Sequence, residues 1–335
     1  MMKLLAIFGF TDTSLATGAA ESAEIWATSV WREAMREVFW GPFMKENDIN
    51  SIIEVHTRLE KTAGDRETFT LFRELTGGGV TGDNTLEGNE EGLDWFSDTV
   101  TLDQIRNGVR LGGAMTEKRP VFDLANESKG MLKQWMATYL DDYVFTQMDD
   151  SPTSVHFGGD ATSTADIDAS DTITPALLDE AVASSMKADP KVWPIRVGGR
   201  AWYVVVIHPD VAYDLKQHAT WTSAQRDATP RSKEENAIFS GAMGYWGGVA
   251  LYVSEKVPIS TTYGNPATVN GASNLFCGRQ AGVWAWGRRP KGWEKLFDYQ
   301  NRRGFAIGCI FGFTKAVFDS SDHGFKALRT ARTSN

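Results

Sequence analysis

Between Ile49 and Met115 the chain spells out strands with almost nothing of their own to pack on, and this segment limits the possible folds more than any other. Ile53, Val55, Thr57 and Leu59 alternate with Glu54, His56, Arg58 and Glu60, the period of two that marks a half-exposed strand. Gly64-Asp65 offers a turn, and Thr68 to Arg73 alternates again around Phe69 and Leu71, so a long β-hairpin is expected. Next comes TGGGVTGDNTLEGNEEGLD, Thr76 to Asp94, with six glycines, five carboxylates and no basic residue. Such a stretch builds no core and must be a loop. Val100, Leu102 and Ile105 then predict a returning strand. The sum is an extended two- or three-stranded arm, marginal in water by itself and in need of a neighbour to lie on.

The remaining chain supplies a body for that arm. Ala20 to Glu46 carries a helical pattern, with Ile25, Val30, Ala34 and Val38 among Trp26, Trp31, Met35 and Phe39, which Gly41-Pro42 stops. After Pro120, apolar residues from Leu124 through Leu132, Met136, Leu140 and Val144 to Met148 recur at helical spacing. They predict a helix over about Phe122 to Met148, roughly 40 Å long at 1.5 Å per residue. Asp149 to Asp171 reads as a surface loop. Thr174-Pro175 opens a helix to about Lys187, with Thr174 as N-cap. Ile195 to Val197, a Gly198-Gly199 turn and the apolar run Ala201 to His208 predict a hairpin whose second strand is buried on both faces. Asp210 is expected to cap a short helix holding Val211, Tyr213 and Leu215. Further strands are expected at Gly247 to Val257, Leu275 to Trp286 and Gly304 to Phe318. Strands so distant in sequence must pair with one another, which predicts an α+β fold.

Composition narrows the class of function. With 335 residues, 42% hydrophobic and 23% charged, the chain can bury a sizeable core, and wholesale disorder is excluded. A net charge of -9 argues against gripping nucleic acid along the whole surface, because phosphate binding depends on Lys and Arg. Cys277 and Cys309 form neither a disulfide framework nor a zinc spacing and read as small buried hydrophobes. The opening MMKLLAIFGF is followed at once by Thr11, Asp12 and Thr13, which is not a signal peptide, and no apolar run approaches a membrane span. A soluble protein of a reducing compartment is expected, with no membrane partner.

No catalytic constellation is expected, so neither an enzyme nor a cofactor-binding protein is read here. Gly77, Gly79 and Gly82 satisfy G-x-G-x-x-G, yet NTLEGNEEG follows in place of an apolar helix start, and its carboxylates repel a pyrophosphate. Asp83, Glu87, Glu90, Glu91 and Asp94 offer oxygen ligands for a hard cation, but their spacing is not that of an EF-hand and a solvated acidic loop is the simpler reading. His208-Pro209-Asp210 leaves a buried strand, which makes it a strand end and helix cap rather than a co-chaperone motif. His56, His156, His218 and His323 stand apart from any nucleophile or HExxH signature. Asn126-Glu127-Ser128 falls within or at the start of the long helix and is discarded as a glycosylation acceptor. Trp284, Trp286 and Trp293 beside Arg288, Arg289 and Lys291 fit stacking on a glycan or nucleic acid, and equally a strand packed on both faces.

The order of elements, helix, glycine-tipped β-arm, long helix, then compact mixed part, resembles that of the major capsid proteins of tailed bacteriophages, whose fold is shared with herpesvirus capsids and encapsulins. IHPDVAYDLK (Ile207 to Lys216), GGVALYVSEKVP (Gly247 to Pro258) and DYQNRRGFAIGCIFGFTKAVF (Asp298 to Phe318) are similar to phrases of that family, and LTGGGVTGDNTLEGNEE (Leu75 to Glu91) to its podovirus-type branch. The resemblance spans about Ala20 to Phe318.

It implies an N-terminal arm and helix (1–48), an extended β-arm (49–115), a peripheral domain with a spine helix and surface loop (116–173), a mainly axial domain (174–283), and a return to the peripheral domain with a C-terminal tail (284–335). It also implies self-assembly into hexamers and pentamers of an icosahedral shell, assembled in the host cytoplasm, around double-stranded DNA held by confinement. Scaffolding, portal and decoration proteins are the further partners, and the first twenty residues are too few for a built-in scaffolding segment. Gly77, Gly78, Gly79, Gly82, Glu87, Glu90 and Glu91 become the candidate assembly residues at the arm tip. The competing readings are an encapsulin-like compartment and a glycan-binding protein.

Overall fold

A computed structural model describes residues 38–72, 75, 77–119, 123–188, 191–227 and 243–333, without the side chains of 225–227. The expected helix in Ala20 to Glu46 therefore lies mostly outside the described residues. Its last part is a 3-10 turn, Gly41–Phe43, followed by a strand, Met44–Glu46. The chain divides into a smaller unit, described over Ile105–Met136 and Pro290–Cys309, and a larger one built from Arg36–Gln104, Ala137–Arg289 and Ile310–Asn335.

The long helix forms where its apolar spacing predicts, over Leu124–Met148, 25 residues without a break. Its first half serves the smaller unit. There Leu132 and Met136 are buried with Phe305, Ile307 and Cys309, and the Cys309 and Met136 sulfurs are 3.8 Å apart. The sheet of this unit comes from the Ile105 to Arg110 part of the strand Asp103–Arg110 and from parts of two long strands, Gly282–Phe297 and Arg302–Lys315. Arg303 donates to Glu294 at 2.8 Å, approaches Glu117 at 3.8 Å and lies over the Phe305 ring.

In the larger unit the second half of the helix buries Leu140, Val144, Phe145 and Met148. Asp141, on the same helix, accepts from the backbone N–H of Phe39 (2.8 Å) and Trp40 (3.4 Å), and Trp40 packs its ring on Phe145. The main sheet orders Val155–Phe157, Phe325–Ala331, Val269–Cys277, Arg200–Ile207, Val249–Val253 and Gly244–Trp246. Arg200–Ile207 sits between a parallel and an antiparallel neighbour, and Tyr203 to Ile207 are all buried, as an apolar central strand requires. Helices Pro175–Lys187 and Pro209–Gln217 cover it through Leu177, Leu178, Ala181, Val211 and Leu215, which pack with Val205, Ile207 and Phe276. Thr174 caps the first helix by accepting from Leu177 N–H at 3.3 Å.

Several expected elements fall differently. The short helix is capped by His208, whose Nδ1 accepts from Asp210 N–H at 3.2 Å, while the Asp210 carboxylate bonds Arg332. Leu275 to Trp286 is not one strand. The ladder ends at Cys277 and resumes at Gly282; between them Gly278 N–H donates to the Gly324 carbonyl at 2.7 Å, Arg279 N–H to the Trp193 carbonyl at 2.8 Å, and Gln280 takes a φ of 54°. Gly247-Gly248 is a turn with positive φ, so the next strand starts at Val249 and stops at Val253. The closing strand starts at Arg302 and ends at Lys315, with Val317–Phe318 in a separate two-residue ladder. Trp284 is buried and stacked on Phe311, centroids 4.8 Å apart, which makes it a packing residue.

Candidate assembly surface

The arm is a hairpin, but its pairing differs from the one expected. Arg73 lies outside the described residues, and Ile53–His56 does not fold back on Thr68 to Phe72. It pairs parallel with Met44–Glu46 on one side and with Gly282–Ala285 on the other. Ile53 and Val55 are buried there, and burial of both outweighs the local turn at Gly64-Asp65. A 3-10 turn, Arg58–Glu60, carries the chain onward. The true hairpin joins Arg66–Phe72 to Trp95–Thr101, with Arg66 opposite Thr101 and Phe72 opposite Trp95. The acidic glycine-rich stretch is thus the connection at its far end.

At its root the hairpin is held by buried groups. Val100 packs with Val283 and Ala285, with Phe69 and Leu102 against them. The Phe69 and Phe318 rings meet edge to face at 5.7 Å. Val317 N–H donates to Asp98 Oδ2 at 3.1 Å, and Leu102 N–H to the Asp65 carbonyl at 2.8 Å. Gly312 has no room for a side chain, since a Cβ would come well under 3.0 Å from the Thr101 carbonyl oxygen. Glu67, 9% exposed, faces His56 Nδ1 at 3.0 Å, while His56 Nε2 lies 3.4 Å from Glu54. Glu54 also accepts from Gln280 Nε2 at 3.0 Å. The hydrogen bond to Glu54 raises the His56 pKa above its ordinary value despite partial burial, and the same bond lowers that of Glu54.

Toward the tip this support disappears. Gly77, Gly78, Gly79, Gly82, Glu87, Glu90 and Glu91 all lie in one exposed loop. Gly77 N–H donates to Glu91 Oε2 at 2.7 Å, tying the two ends of the loop together, and Gly88 N–H donates to Glu90 Oε2 at 2.7 Å. Gly79 and Gly82 take φ of 64° and 66°, which a side chain disfavours, with open space where a Cβ would stand. Glu87 is exposed. Thr76 lies outside the described residues. Among the described residues no group of three or more His, Cys, Asp or Glu is arranged to hold a metal ion, the acidic loop included. Cys277 and Cys309 are buried thiols outside any disulfide, and burial pushes the Cys277 thiol pKa far up.

The tip carries a second feature that sequence reasoning passed over. Phe72, Leu75, Leu86, Leu93 and Trp95 are each 58 to 64% exposed. Phe72 and Trp95 form the last paired rung, and the leucines continue beyond it. The signal was available, since two aromatic residues flank the glycine-rich stretch, but it emerges only when the register places them opposite each other. Exposed apolar residues gathered at one end of a two-stranded arm are the kind of surface on which protein contacts form.

These features can be set beside known proteins. A family described as "Phage capsid protein" matches residues 14–156 and 151–332. The chain is 29% identical over 355 residues to the major capsid protein of Pseudomonas phage KPP25, covering 92% of this chain and 93% of that one. Its fold is similar to the capsid of Ralstonia phage GP4, with a TM-score of 0.79, 29% identity and coverage of 87% and 90%. The cyanophage Pam1 capsid shares the fold at a TM-score of 0.77, with 23% identity and coverage of 90% and 94%. The α+β arrangement expected from the sequence is therefore that of phage capsid subunits. With its arm, long helix and mixed sheet in that order, and with the family match running through nearly the whole chain, this chain belongs to the phage capsid protein family, a family of structural shell proteins.

Proposed function

We propose that this chain is the major capsid protein of a tailed bacteriophage of the podovirus-type branch, assembling into hexamers and pentamers of an icosahedral shell around double-stranded DNA. The observation that carries this reading is the arm: a hairpin rooted in buried contacts whose far rung, Phe72 and Trp95, is left in water. A subunit alone gains nothing by holding that rung exposed, whereas a neighbouring copy lying beneath it buries the cluster. The positive φ at Gly79 and Gly82 supports a tip that adapts to the differing environments of hexamers and pentamers. The net charge of -9 suits a container that holds DNA by confinement rather than adhesion. Residues 49–115 are the intersubunit arm in this reading, 116–173 and 284–335 the peripheral part and 174–283 mainly the axial part. A separate scaffold, a portal and decoration proteins are its partners during assembly in the host cytoplasm.

The test is negative-stain microscopy of the purified chain beside size-exclusion chromatography with light scattering. Hexamers, pentamers, closed shells or sheets are expected, and deletion of Thr76 to Gly92 is expected to impair their formation while the subunit stays folded. A persistent monomer, even with crowding agents and a candidate scaffold, refutes the proposal.

A further inference from the structure

Two lysines of the larger unit are buried, and they are satisfied very differently. Lys315 has what a buried ammonium needs: the Asp322 carboxylate at 2.9 Å and the Asp150 carbonyl at 2.7 Å. Lys326, on the strand Phe325–Ala331, is only 3% exposed. Among the described residues its ammonium makes one hydrogen bond, to Ser184 Oγ at 2.6 Å, and forms no ion pair with a carboxylate. An ammonium has three N–H donors, so two of them lack a protein acceptor. Ser184, on the helix Pro175–Lys187, also bonds His156 Nε2 at 3.1 Å.

Ser184 and Lys326 line an open cavity of about 630 Å³ that also takes hydroxyls from Thr153, Ser154 and Ser321, with Lys187 at its wall. Its lining carries two cations, Lys187 and Lys326, and two carboxylates, Glu180 and Asp322. Burial, with no carboxylate to offset it, lowers the Lys326 pKa, and burial together with the Lys326 charge lowers that of His156. The acidic side chains present are already engaged or outside: Asp322 pairs with Lys315 and accepts from Thr153 N–H, and Glu180 is mostly exposed, 3.7 Å from His156 Nδ1.

We propose that this cavity is a carboxylate-binding site in which Lys326 and Ser184 receive a single negatively charged carboxylate. One buried cation calls for one negative charge, and the Asp322 and Glu180 carboxylates in the wall disfavour a doubly charged phosphate. The volume admits either a small free carboxylate or an acidic side chain or chain end borne by a protein. The site is independent of the arm and of the assembly reading.

The test uses the purified full chain with sodium acetate, a capped tripeptide carrying one glutamate, and a tripeptide with a free C-terminus. Phosphate and chloride at equal ionic strength are the controls. Modification of each lysine by an amine reagent is followed by mass spectrometry. With a carboxylate at about ten times its Kd the free fraction is near one tenth, so labelling of Lys326, reached through the open cavity, slows roughly tenfold, and lysines away from the cavity are unaffected. The carboxylates also raise the Tm of the wild-type chain, and this rise is lost in Lys326→Met and reduced in Ser184→Ala. Tighter protection by a peptide than by acetate identifies a protein-borne carboxylate; equal protection identifies a small molecule. The proposal is overturned if Lys326 labels at the same rate in carboxylate and chloride, if phosphate protects where carboxylates do not, or if the wild type and Lys326→Met show the same carboxylate-dependent shift in Tm.

Discussion

Trp95→Ala tests the arm directly, because Trp95 is the residue whose exposure makes least sense in an isolated subunit. Its side chain is 63% exposed and stands opposite Phe72, itself 64% exposed. An indole presents up to about 250 Å², so roughly 150 Å² remains open for a neighbour to cover. At about 25 cal/mol per Å², full cover contributes on the order of 4 kcal/mol per contact and half cover about 2. A loss of ~2 kcal/mol weakens each arm contact about thirtyfold, since 1.4 kcal/mol is tenfold. The subunit concentration at which particles first appear in light scattering should rise by about that factor, while the Tm of the unassembled subunit moves little, as expected for an exposed site. An unchanged assembly threshold with a folded subunit would mean that the rung is not an intersubunit contact, and the reasoning fails.

Other perturbations probe the root and the body. His56 gains a raised pKa in the folded chain, so its contribution is fully present below its ordinary value of 6.5 and is lost as pH rises through the raised one; Glu54, lowered from 4.5, loses its contribution as pH falls through its depressed value. Tm measured from acid to mildly alkaline pH should therefore be highest between the two, and His56→Gln should remove the decline on the alkaline side. Gly312→Ala forces a Cβ against the Thr101 carbonyl and should destabilise by about 1–3 kcal/mol in urea titration, as overpacking does; a neutral result would show that the hairpin root gives way freely. Thr174→Ala removes the cap bond to Leu177 N–H and should cost about 1 kcal/mol in the same assay.

What the sequence determined by itself is local. Apolar residues at helical spacing from Leu124 to Met148 leave only one stripe to bury, so that helix was legible almost to the residue. Thr174-Pro175 is a start signal whose physics lies within four residues, and the apolar run before His208 has to be a central strand. Glycines and carboxylates from Gly77 to Asp94 have no core to make, so the loop was legible too. Pairing was not. Ile53–His56 and Arg66–Phe72 both alternate, and alternation shows that a strand is half-buried without showing against what. The tertiary structure assigns Ile53–His56 to Gly282–Ala285, more than two hundred residues away, and leaves Arg66–Phe72 to Trp95–Thr101. The same choice of partners sets Phe72 against Trp95 at the arm's far end and brings Lys326 to Ser184, with no carboxylate paired to it among the described residues. Side-chain periods are written in neighbouring residues, whereas the partner of a strand or of a buried charge is decided by competition among distant segments for the same core, and only the folded chain records which of them won.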